Sequence, residues 1–139
     1  MNGLYQALAP LHIGANLIWI GSILSVGAVL GAGDTDARTR GRLARSLYLK
    51  LSTPAFGAAL ALGVILLLLS PGYYFVETKF MHAKLTLAIV VIVLHHVVGA
   101  RAKKMAEGRV ETAGPIGFLE GVLLAAAFTI VFLAVLKPF

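Results

Sequence analysis

FMHAKLTLAIVVIVLHHVVG, residues 80–99, decides the fold. It is as long as the roughly 20 residues that a helix needs to cross the hydrocarbon of a bilayer, and it shows no strict alternation of apolar and polar positions. A spanning helix satisfies every backbone amide within itself, which an open strand in lipid cannot do. Three further stretches of the same kind, at about 8–31, 51–70 and 115–136, flank it on both sides. The connections between them are short, as antiparallel neighbours in one bundle require. The expected fold is therefore all-α: a single transmembrane domain over residues 1–139, with helices at about 8–31, 51–70, 80–100 and 115–136.

Composition agrees. Of 139 residues, 59% are hydrophobic and 13% charged, about half the charged share of an average soluble domain. The 12 Lys and Arg against 6 Asp and Glu raise the question of nucleic acid, but a basic face on a soluble fold is missing, and no nucleic-acid partner is expected. The chain has no cysteine, which excludes disulfides and thiolate-ligated metals, so a metal must lean on histidine. The opening MNGLYQALAP is uncharged and the apolar run after it is too long for a secretory signal, so the first segment is expected to be retained.

Basic residues set the orientation. Arg38, Arg40, Arg42, Arg45 and Lys50 crowd the first connection, and Arg101, Lys103, Lys104 and Arg109 the third. Both connections belong on the cytoplasmic side, which places both termini outside; the expected location is a bacterial inner membrane. Tyr73, Tyr74 and Phe75 supply an aromatic anchor at the outer interface. Pro54 and Pro115 read as first-turn prolines. Gly27 with Gly31, and Ala59 with Gly63, have the spacing of close helix packing, chiefly inside the bundle and secondarily in a homo-oligomer.

Ionisable groups inside a membrane helix are functional hypotheses by default, because each costs about 3 kcal/mol to place there. His12, Asn16 and Trp19 follow at helical spacing on one stripe of the first helix. Trp19 suits packing first and a cofactor contact second. His82 and Lys84 lie one turn into the third helix, about 200° apart around its axis. His12 and His82 enter from the same side, so the pair is the expected ligand set for a metal, best for the iron of a b-type haem and alternatively for copper or zinc. His95 and His96 fall about 20 Å further down, near the cytoplasmic end, where Glu120 of the last helix can pair with either of them or with Arg101.

Taken in order, these segments resemble the HemJ family of protoporphyrinogen IX oxidases, which sits with the CopD-like four-helix membrane proteins. The match runs through His12, L-Y at 47–48 leading to T-P at 53–54, M-H-A-K-L at 81–85, His95, Glu120 and the terminal K-P-F at 137–139. It departs at Leu119 and Val122, where the family carries asparagine and proline, at Ile116-Gly117 in place of an arginine, and at the end of the first helix, which lacks a proline–arginine pair. The resemblance implies a haem b membrane protein that oxidises protoporphyrinogen IX to protoporphyrin IX and hands electrons to quinone. His12 and His82 would be axial ligands, Asn16, Trp19 and Lys84 cofactor contacts, and Lys84, His95 and Glu120 the catalytic set. Three alternatives stay open: a non-enzymatic b-type cytochrome subunit in a larger respiratory-type complex, a CopD-like copper-handling protein, and a purely structural membrane subunit.

Overall fold

The computed structural model describes residues 3–138, and every element within them is helical. Met1 and Phe139, the last residue of the K-P-F motif, lie outside the described residues. Helices α1 (Gly3–Gly31), α2 (Ala37–Leu47), α3 (Thr53–Leu69), α4 (Phe80–Ala106) and α5 (Ile116–Leu136) follow one another along the chain. Four of the helical runs are long and apolar enough to cross a membrane, and the chain is an all-α, multi-pass membrane bundle. Large apolar side chains such as Leu17, Leu68, Ile89, Phe118 and Phe132 face outward along them, which suits lipid and would be an aggregation liability in water.

The first connection differs from expectation. Rather than a short loop, residues 37–47 form α2, which continues through a π-turn into α3 as one helical run, Ala37–Leu69. Asp36 caps its start by accepting the Thr39 amide at 3.0 Å and the Thr39 hydroxyl at 2.6 Å. Gly41 and Ala44 are buried, and Gly41 meets the Met105–Ala106 backbone so closely that no side chain fits there. Pro54 stands in the first turn of α3, as expected, but α2 and the π-turn run directly into it, so it also lies inside the longer helical run. A proline there removes one ladder hydrogen bond and crowds the carbonyl a turn earlier. The π-turn over Tyr48–Ser52, closed by Thr53 N–H donating to the Tyr48 carbonyl, absorbs that misfit.

Helix α1 is central, packing on α3 along one side and on α2, α5 and α4 along others, while α4 packs mainly on α2 and α5. Gly27 and Gly31 face Glu120 and Ile116 of α5, and Ala59 and Gly63 face His12 of α1, so both small-residue pairs work inside the bundle. At the opposite end from α2, the Tyr5 and Tyr74 hydroxyls share a 2.7 Å hydrogen bond beside buried Phe80 and Met81. Lys137 lies 5.9 Å from the centre of the Tyr73 ring, tying the end of α5 to the same cap.

Candidate functional site

The polar stripe of α1 reaches two different environments. At His12, nine residues into α1, Nδ1 lies 2.9 Å from the Ala59 carbonyl of α3. A carbonyl oxygen only accepts, so the proton of this imidazole is on Nδ1 and its Nε2 carries the lone pair. Asn16 anchors the turn by donating to the His12 carbonyl at 2.7 Å, and its amide also approaches Nε2 at 3.2 Å. Gly63 makes the arrangement sterically feasible, since a Cβ there would come within 2.9 Å of the His12 ring. The Lys84 ammonium is within electrostatic reach of the same ring.

His82, two residues from Lys84, turns elsewhere. It is exposed, its ring lies edge-on to Phe75 at 6.1 Å, and Thr86 bonds only to its backbone carbonyl. The structure thus brings Lys84 and not His82 towards His12. Among the described residues no three or more His, Asp or Glu side chains gather as a metal cage. A cofactor that brings most of its own donors, as haem does, needs only an oriented imidazole from the protein.

Deeper in the bundle the second environment centres on His95, which has no exposed surface. The Trp19 indole N–H donates to His95 Nδ1 at 3.1 Å. An indole nitrogen only donates, so Nδ1 here is the acceptor and the proton sits on Nε2. That Nε2 is buried and has no hydrogen-bond partner among the described residues. Tyr48 and Phe56 lie beside the His95 ring at centroid distances of 4.8 and 4.9 Å, and His96 meets it edge-on at 5.0 Å. The π-turn presents Tyr48 to this box, and Gly99 leaves the space its ring occupies. Just below, the Ser22 hydroxyl donates to the Trp19 carbonyl and receives a hydrogen bond from Ser52, both at 2.9 Å.

His95 is therefore a core residue and not an interfacial one, because α4 continues to Ala106, about 16 Å beyond it. His96, exposed and 3.4 Å from the Tyr48 hydroxyl, does have interfacial character. The expected pairing of Glu120 with His95, His96 or Arg101 does not form. Arg101 instead donates to the Thr112 carbonyl and hydroxyl at 2.8 and 3.1 Å. Glu120 Oε1 is buried without a partner among the described residues, in a notch that exists because residue 27 is glycine. Sequence reasoning placed Trp19 on the right stripe but missed its bond to His95, which joins residues far apart in the chain, and it missed Tyr48 and Phe56 as walls of the box. No family model, curated protein or solved structure matches the chain.

Proposed function

We propose that this chain is a haem b protein of a bacterial inner membrane, resembling the protoporphyrinogen IX oxidases, which oxidises protoporphyrinogen IX and passes the electrons to quinone. In this reading the arginine-rich end of the bundle is cytoplasmic and both termini are outside. The observation that carries it is the His12 imidazole. Its Nδ1 proton is committed to the Ala59 carbonyl, which orients the ring and leaves Nε2 as a ligand. This is the outer-shell arrangement that metal-binding histidines ordinarily have.

The residues at this level suit such a group. His12 would hold the iron through Nε2, displacing the weak Asn16 contact, and Lys84 would meet haem or substrate carboxylates as a charge-assisted donor. Bound there, haem supplies the one-electron redox chemistry. The chain supplies orientation through Ala59 and Asn16, exclusion of water through the apolar bundle, and proton-holding groups at His95 and Glu120.

The test is the ultraviolet–visible spectrum of detergent-purified protein, expressed with ample haem supply, before and after dithionite. A Soret band with an alpha band that sharpens on reduction, together with quinone-dependent oxidation of protoporphyrinogen IX, supports the reading; a featureless spectrum removes it. Orientation is checked separately. A single cysteine placed at Lys104 of this cysteine-free chain is expected to react only from the cytoplasmic side.

A further inference from the structure

We propose that the box around His95 is a binding site for a flat, lipid-soluble carbonyl compound of the quinone class, with His95 Nε2–H as the hydrogen-bond donor to one of its oxygens. The tautomer argues for this. Trp19 commits Nδ1 as an acceptor, so Nε2 presents a proton and no lone pair; it cannot ligate a metal in this form, and it can donate. A buried donor without an acceptor is normally avoided, since it forfeits its water hydrogen bonds and gains nothing. This one is fully buried and lacks any partner among the described residues. The missing partner is an acceptor.

The surroundings define what kind. Tyr48 and Phe56 lie against the His95 ring itself, tilted 31° and 33° to it, so the donor is framed by aromatic carbon that suits a flat apolar ring. Trp19, Tyr48, Phe56 and His96 surround the imidazole, so among the described residues its contacts offer a carboxylate or phosphate no fixed counter-charge, while a neutral carbonyl needs none. Access is from the membrane. Helix α3 packs chiefly on α1, and it meets α4 at this level through the side chains of Phe56, His95 and His96. Phe56 is only half-buried and His96 is exposed, so the box comes nearest the outside of the bundle at these two residues, and a lipid-soluble ligand would enter there by displacing the Phe56 ring. The π-turn that delivers Tyr48 is a feature enriched at functional sites.

This assignment deepens the proposed function by giving its electron acceptor a seat, but it does not need the haem to be present. The two readings fail separately, one in the Soret region and one in ligand binding. Trp19 is the only tryptophan in the chain and is bonded to the residue in question, so its fluorescence is the probe. Purified full-length protein in nanodiscs, titrated with decylubiquinone, is expected to show saturable quenching. His95→Leu is expected to weaken the apparent affinity about tenfold, the worth of one good hydrogen bond. Unsaturable quenching that tracks partition into lipid, or an unchanged affinity in His95→Leu, overturns the proposal. A wild-type measurement guards against a variant that does not fold. In protein carrying 15N-histidine, the His95 Nε2–H resonance is expected to move on saturation with decylubiquinone while Nδ1 stays unprotonated. An Nδ1–H tautomer, or no movement at saturation, overturns it equally.

Discussion

His12 and His95 are the same side chain in one membrane bundle, and the two sites prepare them for opposite work. At His12 a backbone carbonyl takes the Nδ1 proton's hydrogen bond, so Nε2 carries a lone pair, which the Asn16 amide approaches at 3.2 Å. At His95 an indole N–H fills Nδ1, so Nε2 is a bare donor. Nothing in the identity of a histidine decides between ligand and donor; the partner of its other nitrogen does. That partner comes from a different helix in each case, α3 for His12 and α1 for His95.

The hardest way to break this comparison is to remove each imidazole and measure haem. His12→Ala is expected to lose all haem while the protein still inserts and remains monodisperse. His95→Leu and His82→Ala are expected to retain most of it, His82 because it is exposed on α4 and its ring lies against Phe75. Haem retained in His12→Ala, or lost in His82→Ala, would reverse the assignment of the ligand.

Trp19→Phe should produce the next largest effect, and on stability instead of haem. It strips the donor from His95 Nδ1 in a site with no exposed surface, which costs about 1–3 kcal/mol in unfolding titrations. It also frees the tautomer. Histidine NMR of this variant is expected to show a mixture of Nδ1–H and Nε2–H forms at His95, with His12 unchanged. A single Nε2–H form would mean that something other than Trp19 holds the proton there.

How much of this the sequence carried depends on whether the cause was local. The apolar runs are local, so the four spans were legible from hydropathy and length. Helix α2 was hidden by its arginines, although Asp36 three residues before Thr39 and the buried Gly41–Ala44 pair were signals of a capped, packed helix. The π-turn was not legible, because it arises only once α2 and α3 join and Pro54 becomes interior. For the sites, the stripe of His12, Asn16 and Trp19 was readable as periodicity. What each of them bonds to was not, because Ala59 and His95 are brought in by the packing of other helices.

Glycine positions sharpen the comparison more gently. Gly63→Ala would push a methyl against the His12 ring, so it is expected to lower haem retention several-fold at little cost in stability. Gly27→Ala meets instead the carboxylate end of the flexible Glu120 side chain, which can shift aside, and haem content is expected to stay near wild type. Equal haem loss in both variants would mean that general loosening of the bundle is responsible, and not the aim of one ring.

The smallest effect is expected at Asp36, remote in sequence from both histidines, at the start of α2. Its carboxyl is held below the usual carboxylate range, first by the Thr39 hydroxyl and then by the Thr39 amide. A group whose folded value is depressed lends stability that is fully present above its unfolded value and is lost as pH falls through the folded one. The amide of Thr39 should therefore exchange slowly, relative to its intrinsic rate, near neutrality and lose protection in acid. Asp36→Asn keeps an oxygen that can accept the same amide, so protection should persist but lose its pH dependence. Asp36→Ala should remove it at every pH. In none of these variants should the protonation pattern of His12 or His95 change, because the orienting bonds of both are made within the bundle by Ala59 and Trp19. A histidine signal that follows the state of Asp36 would show that the α2 cap reaches the two sites through the π-turn, and that their opposite tautomers are not set by their immediate partners alone.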